Sequence, residues 1–137
     1  MRAIAVKTDY SLTAEEQETP VPGPNEILIK VQCAGVNRAD LMQRRGFYPP
    51  PPGASKILGL ECSGIVESVG RNCERFRGGD AVCALLSGGG YAEYVAVDEG
   101  SVLPMPMGFS FEQAASIPEV FATAWLNLFD KGELKKN

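Results

Sequence analysis

Asn37 and Tyr48 are the two side chains whose type and spacing best suit them to act on a bound small molecule. Asn37 follows a predicted strand that ends at Val36, beside the N–H groups that open a predicted helix. An amide in that position can donate a hydrogen bond to a carbonyl oxygen and polarise it. Tyr48 comes directly before four consecutive prolines, which would hold its amphipathic ring on a stiff loop. The pair indicates a site that polarises a carbonyl group.

The same segment also has a purely structural interpretation. Asn37 is a favourable helix N-cap, and Asp40 takes the third helical position, where a carboxylate stabilises the helix N-terminus. Gly46 would then end the helix. Arg38 and Arg44 could attract a phosphate, although a solvated helix face also explains them. Spacing alone leaves both interpretations of the segment open.

The absence of histidine excludes several kinds of site. A Ser-His-Asp triad, a Cys-His dyad and a histidine-ligated zinc cannot form within these 137 residues. The cysteines are separated by 29, 11 and 10 positions, without a Cys-x-x-Cys pair, which argues against a structural zinc site. We expect buried free thiols rather than disulfides, and hence a reducing compartment, for Cys33, Cys62, Cys73 and Cys83.

Composition places the chain among ordinary globular domains. Its 137 residues suffice for one domain with a core, and 45% of them are hydrophobic. A net charge of −4 disfavours nucleic acid and anionic membrane surfaces as partners. No run approaches the roughly 18 apolar residues of a membrane helix, and the charged N-terminus does not resemble a signal peptide. We therefore expect a cytoplasmic protein.

The elements that must position Asn37 and Tyr48 are mostly short strands separated by glycine and proline. We predict strands over residues 2–8, 26–36, 62–69, 80–86 and 91–97. Helices are predicted over residues 38–45, from a capping box at Ser110, and from Pro118 to a stop at Gly132. This pattern predicts a mainly β chain with short helices, folded as a small, partly open β-barrel.

Two further sequence patterns predict local structure: a glycine triplet and an apolar stripe on the final helix. Gly88–Gly90 leads into a strand rather than a helix, which predicts a hairpin turn and not a phosphate loop. No Gly-x-Gly-x-x-Gly opens a helix, so a dinucleotide phosphate site is not predicted in this chain. The final helix carries an apolar stripe that the barrel can cover only in part, formed by Phe121, Ala124, Trp125, Leu128 and Phe129.

Four segments in order, Gly35–Gly53, Ile57–Gly70, Gly79–Val82 and Gly88–Val95, closely resemble the zinc-independent quinone oxidoreductases. That family belongs to the medium-chain dehydrogenase/reductase superfamily. The resemblance implies a GroES-like catalytic domain over residues 1–117. It also implies a linking helix over residues 118–137 that leads toward an NADPH-binding Rossmann domain not contained in this sequence.

The resemblance also assigns site residues. It implies that Asn37 and Tyr48 are catalytic and, together with Thr123, line the nicotinamide end of the cofactor site. Zinc relatives carry ligands at the positions of Asn37 and Leu60, with a third near Glu119. Since Asn and Leu cannot replace those ligands, no metal is expected.

The activity implied is an NADPH-dependent, zinc-free reduction of a quinone or conjugated enone by hydride transfer. Most contacts to the cofactor phosphates would lie outside this chain, and the full-length protein would be a homodimer. An alternative stays open at this point. The chain could be an isolated β-barrel module without catalytic activity of its own.

Overall fold

The computed structural model describes residues 1–135, which form two antiparallel sheets, three short α-helices, a 3₁₀ turn at Glu99–Ser101 and a π-helical segment at Leu126–Lys131. The first sheet pairs β1 with β2, and the second has the strand order β6-β3-β4-β5-β7. The strands are β1 (Arg2–Val6), β2 (Leu12–Glu16), β3 (Glu26–Ala34), β4 (Glu61–Val69), β5 (Ala81–Leu85), β6 (Tyr94–Asp98) and β7 (Val102–Pro104). The helices are α1 (Arg38–Arg44), α2 (Phe111–Ala114) and α3 (Pro118–Trp125).

The core lies on one face of the five-stranded sheet. Alternate residues of β3 point to that face, and their partners on β4 and β6 share it through the antiparallel register, as in Ile29 with Val66 and Val95. The β3–β4 pairing has two register irregularities, which bend the sheet. The core comprises Ile27, Ile29, Cys62, Val66, Val82, Ala84, Leu86, Val95, Val97 and Val102. The predicted mainly β architecture with short helices is confirmed, and neither sheet closes on itself.

The glycine triplet is not a hairpin turn, contrary to the sequence prediction. The strands on either side of it, β5 and β6, are not neighbours in the sheet. The triplet instead packs against the segment before β4: Gly89 N–H donates to the Ile57 carbonyl at 2.8 Å, and Tyr91 N–H donates to the Leu58 carbonyl at 2.9 Å. The prediction failed because the strand that follows pairs with β3 rather than with its predecessor.

All four cysteines are free, and their burial differs from the expectation. Cys62 and Cys83 are buried, whereas Cys33 and Cys73 are only half-buried. Burial raises the pKa of the Cys62 thiol to about 12, with smaller contributions from Cys83 and Glu61. The thiol is therefore protonated and behaves as a small apolar group.

The chain after β7 is helical. A capping box at Ser110 opens α2, and Pro118 occupies the first turn of α3, both as predicted. Residues Leu126–Lys131 continue α3 with π-helical hydrogen bonds and end at Gly132. The apolar stripe on this segment is exposed, with Trp125 at 62%. Within residues 1–135, no helix combines the length and apolar character required to cross a bilayer.

Candidate functional site

A cleft of about 790 Å³ separates α1 and the loop after it from α3 and its π-helical continuation. One wall consists of Asn37, Arg38, Ala39, Met42, Phe47 and Tyr48. The other wall consists of Glu119, Val120, Thr123, Ala124, Asn127 and Leu128. The three residues implied by the family resemblance, Asn37, Tyr48 and Thr123, therefore all line one cleft.

The two ends of α1 place Asn37 and Tyr48 on the same wall. Asn37 is the N-cap residue, with an extended backbone at φ −114° and ψ 160°. At the other end, Gly46 adopts φ 76°, and Phe47 N–H donates to the Met42 carbonyl at 2.9 Å. This pair of features is a Schellman helix ending, which turns the chain back along the helix. Tyr48 follows directly and is 49% exposed.

Asp40 is buried and does not line the cleft. Its carboxylate instead holds together the segments around the cleft. It is 1% exposed. Its Oδ2 accepts hydrogen bonds from Asn37 N–H at 2.8 Å and from the Tyr91 hydroxyl at 3.0 Å, and its Oδ1 accepts from Gly59 N–H at 3.1 Å. The predicted helix-start position of Asp40 is confirmed, and the carboxylate also fixes two distant segments.

Two features of the Asp40 environment were not foreseen from the sequence. Gly59 has φ 104°, a left-handed conformation that favours glycine, and its added Cβ would lie 2.7 Å from Gly90 Cα. Burial, followed by the neighbouring Asp40 charge, raises the pKa of Tyr91 well above its usual value. The Tyr91 hydroxyl therefore remains a proton donor to the carboxylate.

Glu61 is the second buried carboxylate, and its hydrogen bonds join the two walls. Oε1 accepts from the Asn37 amide nitrogen Nδ2 at 2.8 Å, and Oε2 accepts from the backbone N–H of Glu119 at 3.0 Å. Sequence reasoning noticed Glu61 only within the Gly59-Leu60-Glu61 motif. Its position 24 residues from Asn37 gave no local signal for this contact.

The remaining predicted residues differ in their relation to the cleft. Thr123 Oγ1 lies 3.5 Å from Glu119 Oε1, one helical turn earlier on the same wall. Arg38 lines the cleft, whereas the Arg44 side chain donates to the carbonyl of Tyr10. The two arginines therefore do not form a common phosphate site among the described residues.

With this geometry established, comparison with known proteins identifies the family. The family model described as "Alcohol dehydrogenase GroES-like domain" matches residues 23–107. The chain belongs to this GroES-like domain family. The predicted membership in the medium-chain dehydrogenase/reductase superfamily is confirmed.

Relatives of this GroES-like domain are much longer than the chain itself. It is 39% identical over 118 residues to a synaptic vesicle membrane protein VAT-1 homolog of Danio rerio, covering 86% of this chain and 24% of that protein. It is 37% identical over 117 residues to a quinone oxidoreductase of Sus scrofa, covering 85% of this chain and 36% of that protein. The crystal structure of a human VAT-1 homolog-like protein superposes with a TM-score of 0.86 at 33% identity, over 99% of this chain and 44% of that chain.

The side chains at the two positions to which the family resemblance assigned zinc ligands do not suit zinc. Asn37 and Leu60 offer neither a thiolate nor an imidazole. Both oxygens of the Glu61 carboxylate already accept N–H hydrogen bonds. No group of three or more His, Cys, Asp or Glu residues within 1–135 is arranged to hold a metal ion. By the chemistry of their side chains, Asn37 and Leu60 therefore do not fit zinc.

Proposed function

We propose that this chain is the catalytic-domain part of an NADPH-dependent, zinc-free oxidoreductase that reduces a quinone or conjugated enone. The observation that carries the proposal is that Asn37, Tyr48 and Thr123 line the same cleft. In this proposal residues 1–117 form the GroES-like domain, and the helical segment that begins at Pro118 and ends at Lys131 leads toward a cofactor-binding domain.

The lining of the cleft supports a flat, largely apolar substrate. Six of its twelve lining residues are apolar, and small-molecule sites commonly combine such residues with polar groups that fix the orientation of the ligand. The apolar lining residues are Ala39, Met42, Phe47, Val120, Ala124 and Leu128. A quinone ring fits such walls, while its carbonyl oxygens require the polar groups.

The polar residues then have separate tasks. Thr123 and Tyr48 would hold the nicotinamide end of the cofactor, which supplies a hydride when bound. Asn37, together with solvent, would donate hydrogen bonds to the substrate oxygen on which negative charge develops. These N–H and O–H donors would replace the electrostatic role of a metal ion, because the donor set around Asn37 and Leu60 does not fit zinc.

The test uses the native-length protein that carries this chain. Purified protein is assayed for NADPH oxidation with a benzoquinone, with a conjugated enone and with the matching saturated ketone, in the presence and absence of a strong chelator. We expect reduction of the quinone or enone, little reduction of the saturated ketone, and no effect of the chelator.

Two results would contradict the proposal. Absence of reduction with both the quinone and the enone would exclude the activity. Activity that disappears on chelation, together with about one zinc ion per chain by elemental analysis, would exclude the zinc-free mechanism.

A further inference from the structure

The Glu61 side chain is absent from the lining of the cleft, yet it contacts both of its walls. Glu61 is the first residue of β4 and is 2% exposed. None of the ion pairs found within residues 1–135 involves it. The N–H groups of Asn37 and Glu119, rather than a cation, therefore stabilise this buried carboxylate.

The Asn37 contact determines which way its amide faces. A carboxylate only accepts hydrogen bonds, whereas an amide side chain has a donor end and an acceptor end. Because Glu61 Oε1 lies 2.8 Å from Nδ2, the donor end of Asn37 is directed to Glu61. One N–H of the amide is used in this contact, which leaves the second N–H for other partners.

The Glu119 contact fixes the opposite wall. The first N–H groups of a helix lack partners within the helix. Glu119 is in the first turn of α3, and its N–H donates to Glu61 Oε2 at 3.0 Å. The same helix carries Thr123 one turn later, so the carboxylate sets the spacing between the Asn37 wall and the Thr123 wall.

The packing around the carboxylate depends on a glycine. A Cβ added at Gly35 would lie 2.6 Å from Glu61 Cδ, too close for any side chain. The end of β3 thus approaches the carboxylate as closely as the backbone permits. The Glu61 side chain is therefore restricted by Gly35 as well as by Asn37 and Glu119.

We propose that Glu61 is a positioning residue that fixes the Asn37 amide against the start of α3. The orientation of the amide follows from the contacts alone. The use of its free N–H toward a substrate oxygen rests on the proposed function.

The first experiment follows the side-chain amide signals of Asn37 by NMR in the 137-residue chain. Glu61→Gln keeps the size of the side chain but replaces one acceptor oxygen with a donor. The oxygen of the new side chain can still accept from Glu119 N–H, whereas its NH₂ group requires Asn37 to turn its carbonyl oxygen inward. We expect the Asn37 amide signals to shift in Glu61→Gln and to remain unchanged in the control Glu67→Gln, an exposed position on the same strand. Unchanged Asn37 signals in Glu61→Gln would overturn the proposal.

The second experiment is a double-mutant cycle on unfolding with Asn37→Asp and Glu61→Gln. Asn37→Asp alone places two carboxylates against each other. In the double variant, the NH₂ group of the new Gln at position 61 can donate to the carboxylate of the new Asp at position 37, which reverses the wild-type roles. We expect the equilibrium constant for unfolding of the double variant to be at least about fivefold lower than the two single effects predict. Additive effects would overturn the proposal. Failure of both Glu61→Gln and the double variant to fold would also overturn it, since Glu61 would then be required irrespective of Asn37.

The third experiment measures steady-state kinetics in the native-length protein. We expect Glu61→Gln to lower kcat by about tenfold or more while changing KM little, and to add no further loss to Asn37→Ala, because residues that act as a unit are not additive. A multiplicative loss in the double variant would contradict positioning. If the native-length protein reduces no quinone or enone, the proposed function fails, while the NMR and unfolding results still decide the role of Glu61.

Discussion

Tyr48 presents the cleft with both an aromatic ring and a hydroxyl, and substitution can separate the two. Tyr48→Phe keeps the ring. If the hydroxyl stabilises oxyanion charge, kcat falls about tenfold to a hundredfold, about 1.4 to 3 kcal/mol. If the hydroxyl only positions the cofactor, the KM for NADPH rises with kcat little changed, which is the result we expect.

Tyr48→Ala should reduce activity more than Tyr48→Phe, because the stacking surface is also lost. Tyr10→Phe is the matched control, since Tyr10 is exposed and lies outside the cleft lining. Steady-state kinetics of the native-length protein measure all three variants. If Tyr48→Ala has wild-type kinetics, Tyr48 does not contribute to the proposed site.

Asp40 provides a second prediction, which concerns stability. Asp40→Asn places an NH₂ group against at least one of the three donors that contact Asp40, so at least one donor loses its acceptor. We expect the free energy of unfolding to fall by about 2 to 4 kcal/mol. The exposed Asp130→Asn is the control. Denaturant titration of the 137-residue chain measures both, and a loss as small as that of the control would show that the Asp40 network contributes little.

Sequence reasoning found some of these residues for a chemical reason and others by resemblance. Asn37 and Tyr48 stand out by type and position, whereas Thr123 came only from the family pattern. Glu61 and Tyr91 were missed as partners because their hydrogen bonds connect residues 24 and 51 positions apart. Such contacts depend on how the strands and helices pack, which no local spacing reveals.

At the level of elements, two central strands were the most predictable. β3 was found almost in full because its apolar residues alternate, and β4 because glycines bound it. β2 and β7 were missed. β2 is mostly polar and exposed, and β7 has only three residues, so neither produces a hydrophobic period. Their pairing is determined by the neighbouring strands β1 and β5.

Cys62 lies on β4 and is buried where this strand packs against β5. Its burial predicts a loss of stability at alkaline pH. The Cys62 thiol ionises near pH 9 in the unfolded chain but near 12 in the folded chain. Its contribution is therefore fully present below pH 9 and is lost between pH 9 and about 12, by up to about 1.4 kcal/mol per pH unit. Cys62→Ala should make the unfolding free energy less dependent on pH in this range.

Denaturant unfolding in reducing buffer over that pH range provides the measurement for the Cys62 prediction. Cys73→Ala is the comparison variant: burial also raises the pKa of that half-buried thiol, but it should account for a smaller part of the alkaline loss. Parallel stability curves for wild type and Cys62→Ala would show that Cys62 does not cause the alkaline loss.

On the scale of the whole molecule, the apolar stripe of the last helical segment remains uncovered within residues 1–135. The rings of Trp125 and Phe129 lie 4.6 Å apart between centroids and are 62% and 43% exposed. The sequence predicted this stripe from helical spacing, which is reliable because the pattern covers two turns. What covers the stripe in a longer protein depends on residues beyond the helix and so could not be derived from its spacing.

The exposed stripe predicts that the 137-residue chain binds a dye specific for apolar surfaces. Replacing Trp125 and Phe129 together by Gln should at least halve the dye fluorescence. The free energy of unfolding should change by no more than about 1 kcal/mol, since mainly the contact between the two rings is lost. Met107→Gln removes an isolated exposed side chain and should change neither quantity. Dye binding that survives in the double variant would place the apolar surface elsewhere.

The close contact of Gly35 with Glu61 has an evolutionary consequence. Because no Cβ fits beside the Glu61 carboxylate, the two positions cannot vary independently, and among homologues we expect larger residues at position 35 only where position 61 has a shorter side chain. Gly35→Ala should accordingly destabilise the chain in the presence of Glu61 and much less after Glu61→Ala. In a lineage that has lost the buried carboxylate at position 61, glycine would no longer be required at position 35. Substitutions would then accumulate at position 35, although this position contacts no ligand.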